Sequence, residues 1–434
     1  SDTTQIYEDI PVDSLEFGAI KFLYERKIID KDEGEKFLPN DTAVYGRAVQ
    51  MIINILGYRD IATLKGGYPN GYLLTALDLG ITNGINYSIE SMLLRGDACL
   101  ILFRALNVKL LDISSVKIDG SVWYNKDHLN TLLSQVMKMS VHSGIVTATT
   151  KGAIFGSTIP ENNEIYIDYV RYKTSIENTG GLLGHNVKFY IKEYDGNEEI
   201  KIIYDKTTDA AKLFFDDIKP ATTKKAIVYD VDNKEKVYNI ASDAFFCYNG
   251  QPISILSDSD LKPDYGEVVV IDTNEDRLYD VILIWNYEIH SVQTGSGFAD
   301  KIIFKDGSIL EHGSEVLNIY KNDKLVQISE LSEWDTAAVA KSRNGNFTSV
   351  IVTDKSVSGR LTTIDSFNRD IEIDGAEYKT TPYMAEILKP SDLGNFYMDL
   401  YGAIAGFNSE PVIRYGFLCG ISFGKNLSDI GKKS

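Results

Sequence analysis

The sequence has few of the residues from which most catalytic and metal sites are built. Its 434 residues include only 5 His, 3 Cys and 3 Trp, and no two His have a metal-ligand spacing such as HExxH. Cys99, Cys247 and Cys419 form no CxxC pair, so neither a zinc site nor a dense disulfide framework is indicated. Cys99 and Cys419 lie in apolar runs and are predicted to be small core residues. The sequence also allows one disulfide among the three cysteines, but does not establish it.

The sequence also lacks long apolar runs and an excess of positive charge. No apolar run reaches the ~18 residues that are needed to cross a bilayer, so no membrane span is predicted. The 62 acidic and 44 basic residues give a net charge of −18, which repels phosphates and makes nucleic acid a poor partner. Ser1 is preceded by neither an initiator Met nor an export signal, which fits a mature exported chain or a trimmed piece.

Hydrophobic residues make up 44% of the chain, enough for sizeable cores, and its length suits roughly three domains at about 150 residues each. Residues 1–112 have apolar pairs at helical spacing, as in Ala48-Val49 and Ile52-Ile53. Beyond them, short alternating runs end in turn pairs such as Asn249-Gly250, which predicts antiparallel strands. The predicted strands include Gly266–Asp272 and Phe347–Thr353, and minor helices are expected near 127–139 and 208–215.

An internal repeat lies within the β-rich part. The matching segments are Ser143–Thr147 with Ser358–Thr362, Ile165–Asp168 with Ile371–Asp374, and Leu183-Gly184 with Leu393-Gly394. The predicted fold is a multidomain α plus all-β chain of barrel-like or sandwich-like modules. Its domains are 1–112 (helical), 113–205 (first β module), 206–356 (central modules) and 357–434 (repeat of the first). Repetition favours an extended object, and the last module, which ends soon after Tyr415–Leu418, is expected to be completed by another chain or a further segment.

The helical part, residues 1–112, carries two copies of a set of short motifs. The copies comprise Tyr7–Ile10, Phe37–Asp41 and Val44–Ala48, then Gly67–Tyr72 and Leu94–Asp97. These motifs resemble S-layer homology repeats, and Tyr248–Gly250 and Ile373–Gly375 are similar to segments of large clostridial surface proteins. The resemblance implies that Arg47 and Arg95 hold cell-wall polysaccharide, because a guanidinium suits a carboxylate ligand.

The motif set departs from the family in several ways. The Trp of the first helix is absent, with Phe17 or Tyr72 in its place, and Val49 and Asp97 stand where the family has Glu. Two repeats are visible, whereas the family uses them in threes. The alternative for both arginines is a structural role, in which they pair with local carboxylates or helix ends.

One acidic loop matches a calcium-binding pattern. Oxygen-bearing side chains stand at positions 1, 3, 5 and 9 of the loop, at Asp272, Asn274, Asp276 and Asp280. Arg277 replaces the usual Gly at position 6, and Leu283 replaces the Glu at position 12. The loop is therefore either a weak calcium site or a polar hairpin turn. Solvated loop residues are predicted at Asp258, Asp260 and Asp264.

No P-loop, GxGxxG or GxSxG motif occurs, and no catalytic residue stands out. The expected function is that of a secreted, non-enzymatic structural protein of a bacterial surface layer, sheath or fibre. Its partners would be copies of itself and cell-wall polysaccharide, with calcium as the candidate cofactor. A wall-anchored glycan-binding adhesin is the alternative, followed by a polysaccharide-acting enzyme or a phage virion component.

Overall fold

The computed structural model describes residues 5–30, 36–116, 122–125, 130–156, 158–253, 257–296, 300–313 and 315–409. The chain divides into two compact units, Ser1–His142 with Phe189–Ile203, and Ser143–Lys188 with Tyr204–Ser434. Cys419 and the end of the last predicted module lie outside the described residues. Strands are the commonest regular element among the described residues, which also include some helices and form several separate sheets.

The first unit contains most of the helices. They are α1 (Phe17–Glu25), α2 (Tyr45–Ile55), α3 (Arg59–Leu64), α4 (Asn70–Asp78), α5 (Arg95–Ala105) and α6 (Leu132–Gln135). Strands β1 (Asp112–Val116) and β2 (Val122–Asn125) form an antiparallel pair. The apolar face of α2 packs Val49, Ile53 and Leu56 against Ile101 of α5 in one core. Burial of these aliphatic side chains stabilises helices that would be marginal in isolation.

Cys99 is a correction to the sequence prediction. It is exposed on α5, whereas the buried cysteine of the described chain is Cys247. The buried positions of α5 are Ile101 and Ala105, four residues apart on one face. Cys99 lies about 200° around the helix from Ile101, because each residue turns the helix by about 100°. The apolar run around Cys99 therefore did not indicate burial.

Strands β3 to β8 are Met139–Thr149, Gly152–Ala153, Glu164–Ile167, Val170–Thr174, Asn186–Tyr194 and Asn197–Asp205. Strands β9 to β14 are Asp209–Phe214, Ala226–Val231, Lys234–Tyr248, Gln251–Pro252, Gly266–Asp272 and Tyr279–Asn286. Strands β15 to β21 are Glu288–Ser296, Lys301–Phe304, Ile309–Glu311, Val316–Lys321, Lys324–Val326, Thr336–Lys341 and Phe347–Thr353. Strands β22 to β26 are Ser356–Asp365, Asp370–Ile373, Ala376–Lys379, Leu393–Met398 and Ile404–Ser409, with α7 at Pro382–Ile387.

Three sheets of the second unit follow one another along the chain. Their strand orders are β10-β11-β14-β13-β9 with β12 on β11, then β17-β16-β15-β20-β21-β18-β19, then β24-β23-β22-β25-β26. The prediction of antiparallel modules is wrong for two pairings, β11–β14 and β18–β21, which are parallel. Parallel neighbours need a return connection, and β12 and β13 provide it for the first pair.

Thr208–Phe215 is a second correction, because the expected helix is strand β9. Asp209–Phe214 pairs with β13 in an antiparallel register from Asp209 opposite Asp272 to Phe214 opposite Glu267. The alanines of this segment favour a helix locally, but β13 offers hydrogen-bond partners to the backbone groups along one side of the segment. Leu213 is fully buried in the core of this sheet.

The two copies of the predicted repeat have matching hydrogen bonds at their first two segments. Ile145 N–H donates to Asp168 Oδ1 at 2.9 Å, and Arg360 N–H donates to Asp374 Oδ1 at 3.2 Å. Asp168 and Asp374 both have a φ of 46°, in the left-handed region that Asp tolerates better than most residues.

The third segment of the predicted repeat has a different register from the one expected. Gly184 N–H donates to Val146 O, and Ser391 N–H donates to the corresponding Leu361 O. Gly184 has a φ of 82° and Ser391 has a φ of 80°. The structure therefore makes Ser391, rather than Gly394, the counterpart of Gly184.

Each of these three sheets has its own core, and a further cluster lies where parts of the unit meet. That cluster includes Leu183, Cys247, Trp285 and Ala338. Among the described residues, no helix is long and apolar enough to cross a membrane.

Candidate functional site

The segments that precede α2 and α5 pair with each other. Tyr45 N–H donates to Ser91 O at 2.9 Å, and Leu93 N–H donates to Ala43 O at 3.0 Å. This short antiparallel bridge makes the two helices begin side by side. The two motifs that carry Arg47 and Arg95 are thereby brought to one end of the helical unit.

Close packing supports this arrangement. A Cβ at Gly46 would lie 2.8 Å from Ile89 Cγ2 and 2.9 Å from the Tyr68 hydroxyl, so glycine allows this close approach. The Tyr87 hydroxyl donates to Asp97 Oδ2 at 2.5 Å, and this hydrogen bond is the main cause that raises the pKa of Tyr87. Asp97, the shorter acid of the second motif, therefore orients Tyr87.

Arg47 is half-buried and is held on two sides. Its Nη1 donates to Gln50 Oε1 at 3.0 Å, and its guanidinium carbon lies 4.4 Å from the centre of the Tyr68 ring. Gln50 is buried and donates in turn to Asp30 Oδ2 at 3.2 Å, while Arg59 pairs with Asp30 Oδ1 at 2.9 Å. This network pre-orients the guanidinium, and its predicted role as a glycan ligand stays a prediction.

Arg95 differs from Arg47 because it is exposed at the first position of α5. Within the ranges that the structure describes, its side chain makes no ion pair or hydrogen bond. A cation in the first turn is disfavoured by the helix macrodipole, so helix stability does not explain this residue. Its predicted glycan contact likewise stays a prediction.

The acidic loop 272–280 forms the turn between β13 and β14. Asp272 is 2% exposed, and its carboxylate accepts the N–H groups of Asn274 at 3.1 Å, Glu275 at 2.8 Å and Arg277 at 2.8 Å. Arg277 has a φ of 69°, so it adopts the left-handed conformation for which calcium loops use glycine. Asp280 holds the other side by accepting Thr273 N–H at 2.8 Å.

The remaining predicted ligands serve the same turn. Asn274 Oδ1 accepts the N–H of Asp276, and Asp276 Oδ1 accepts the N–H of Leu278. In the described part of the chain, no group of three His, Cys, Asp or Glu side chains is placed to hold a metal ion. These contacts are those of a polar hairpin turn, and calcium binding there stays a prediction.

Asp258, Asp260 and Asp264 line a cleft of about 750 Å³, where Asp258 and Asp264 are exposed as predicted. Asp260 is half-buried and pairs with Arg343 at 2.7 Å, which is a correction for this residue. The Arg343 guanidinium also stacks 4.4 Å from the centre of the Tyr248 ring, and its hydrogen bond to Asp260 raises its pKa. The two partners are 83 residues apart in sequence, so no local pattern could have indicated the pair.

Comparison with known proteins finds relatives named for the cell surface. No family model matches the chain. It is 22% identical over 445 aligned positions to a surface layer protein of Brevibacillus choshinensis, covering 87% of this chain and 38% of the relative. It is 24% identical to a middle cell wall protein of Brevibacillus brevis, covering 73% and 32%. A 105-residue stretch is 32% identical to a cell surface protein of Thermoanaerobacter kivui, covering 24% and 13%.

The chain thus spans between 13% and 38% of the lengths of these relatives. Their names all denote surface or wall proteins, and none denotes an enzyme, which is consistent with a non-enzymatic role. The location of the protein is extracellular, at the cell surface.

Proposed function

We propose that the protein is a structural subunit of a bacterial surface layer, sheath or fibre and that it associates with copies of itself. The observation that carries this proposal is the similarity to a surface layer protein over 87% of the chain. The β-rich second unit supports it, because successive sheets with separate cores suit a load-bearing scaffold. The matching hydrogen bonds around Asp168 and Asp374 support two copies of one module.

Self-association is tested on the purified chain by light scattering and electron microscopy. We expect dimers or ordered polymers at high protein concentration, because an assembly protein buries complementary surfaces between its copies. Samples in EGTA and in millimolar calcium separate ion-dependent from ion-independent association. A strictly monomeric protein at high concentration in both buffers would contradict the proposal.

For the helical unit, we propose attachment to cell-wall polysaccharide or docking onto neighbouring subunits, with Arg47 and Arg95 as ligands in the first case. Two observations support the glycan role. Arg95 is exposed where the helix dipole disfavours it, and Arg47 is held with its guanidinium stacked on Tyr68. A guanidinium fixed in this way loses little freedom when it binds an acidic sugar.

Arg47→Ala and Arg95→Ala are each expected to weaken binding to purified cell walls by at least tenfold, because a charge-assisted contact to an acidic sugar is lost. Sedimentation of the chain with walls measures this. Arg26→Ala is the matched control, since Arg26 is an exposed arginine of the same unit that stacks 5.0 Å from the centre of the Phe22 ring. Wall binding that survives both substitutions would leave subunit docking as the role of this unit.

A further inference from the structure

Helix α5 of the first unit is apolar on both of its faces. One face packs inward through Ile101 and Ala105, which are buried in the core of the helical unit. Four apolar residues of the opposite face are exposed, namely Cys99, Leu100, Leu102 and Phe103. Leu102 is 55% exposed and Phe103 is 43% exposed. A surface helix normally has a polar outer face, and a helix that is apolar all round is normally buried, so we expect another surface to cover this one.

The polar residues of α5 lie away from this outer face. Asp97 is half-buried and accepts the Tyr87 hydroxyl. Arg104 is also half-buried, and it donates to the carbonyl oxygens of Ile81 and Asn83. Both side chains are therefore engaged within the unit. The exposed positions of α5 include one charged residue, Arg95, at the first position of the helix.

The outer face has the residue spacing of a helix-pairing seam. Arg95, Cys99, Leu102 and the C-cap Leu106 follow one another at intervals of four, three and four residues. Coiled-coil seams have the same alternation, and at about 100° per residue it keeps all four positions within roughly 60° of the helix circumference. The order of intervals is the same in both directions. An antiparallel copy of α5 therefore places Cys99 opposite Leu102 and Arg95 opposite Leu106.

Charge favours a second copy of the chain as the partner of this face. The chain has a net charge of −18, so identical copies repel one another, and they approach most easily across a surface without acidic residues. In the antiparallel pair, Arg95 lies beside the C-terminal end of the other α5. The helix macrodipole favours a cation there, whereas it disfavours Arg95 at the N-terminal end of its own helix. One partner thus accounts for both the apolar face and the position of Arg95.

We propose that α5 is a subunit interface, at which two copies of the chain pair their α5 helices antiparallel about a two-fold axis. This inference rests on the proposed function, because it names the surface through which the chain associates with itself. Arg95 lies at the end of the seam and hence at the rim of the interface, so the pairing is compatible with its predicted glycan contact.

Leu102→Glu tests the interface. Light scattering over a dilution series of the full chain measures the concentration at which half of it is dimeric. We expect the substitution to raise that concentration at least tenfold, because it places two carboxylates in the centre of an apolar seam. Thermal unfolding should be little changed, since the side chain of Leu102 is exposed in the single chain.

Leu64→Glu is the matched control. Leu64 is the last residue of α3 in the same unit and is 88% exposed, so the variant carries the same added charge on an exposed leucine outside α5. It should associate as the native chain does. A native chain that is monomeric at every concentration contradicts the proposed function as well. A native chain that associates, with Leu102→Glu associating equally well, overturns this inference alone and leaves self-association to another surface.

Leu102→Cys tests the antiparallel register in a Cys419→Ser background, because it places a thiol opposite Cys99 of the other copy. Under mild oxidation we expect a disulfide-linked dimer of this variant on a non-reducing gel. The Cys419→Ser parent should give no such dimer, since its Cys99 faces Leu102 and Cys247 is buried. Equal cross-linking of parent and variant, or of neither, would overturn the antiparallel pairing.

Discussion

Asp335→Ala is expected to lower the free energy of unfolding by about 3–5 kcal/mol, the usual cost of removing one partner of a buried ion pair. Asp335 precedes β20 and is 3% exposed. Its Oδ2 accepts Lys321 Nζ at 2.8 Å and Ser332 N–H at 2.8 Å. The alanine variant leaves the Lys321 ammonium, whose side chain is only 15% exposed, without its close partner. Urea-induced unfolding followed by circular dichroism measures the change.

Asp354→Ala is the control for this ion pair, because Asp354 lies 4.0 Å from the same Lys321 nitrogen but is exposed. It should cost less than about 1 kcal/mol, as exposed pairs do. Equal effects of the two substitutions would contradict the assignment of the stabilisation to the buried pair.

Asp272→Ala is expected to cost about 2–4 kcal/mol, because it removes the acceptor of three backbone N–H groups in the β13–β14 turn. The loss should already be present in full in EGTA, since these hydrogen bonds need no ion. Thermal unfolding in EGTA measures it. A variant as stable as the native chain in EGTA would show that the turn does not depend on Asp272.

Thermal unfolding with and without calcium also tests the predicted weak calcium site. We expect calcium bound by the loop to raise the thermal midpoint of the native chain in millimolar calcium above that in EGTA. Asp276→Ala should remove that rise, because it deletes an exposed predicted ligand. A native chain with the same midpoint in both buffers contradicts the calcium prediction and leaves the hairpin turn.

Local patterns were sufficient for many individual strands. The strands predicted at Gly266–Asp272 and Phe347–Thr353 are confirmed with the same bounds. Asn249-Gly250 occupies the predicted turn, with positive φ at both residues. Such features depend on alternation and on residues that tolerate left-handed backbone, and both are properties of adjacent residues.

The candidate sites were less accessible to sequence reasoning. Arg47 could be singled out by its motif, but its contacts with Gln50 and Tyr68 could not. The same holds for the pairing of Asp260 with Arg343.

The sequence by itself determined where many of the strands and turns form, the strong negative charge, and the resemblance to surface proteins. Only the tertiary structure decided that the segment at Leu213 is a strand, that Cys247 rather than Cys99 is buried, and which acids are buried. The physical reason is that backbone preference is set by neighbours in the chain. Burial and pairing are set by which distant segment a sheet edge or a core places opposite each residue.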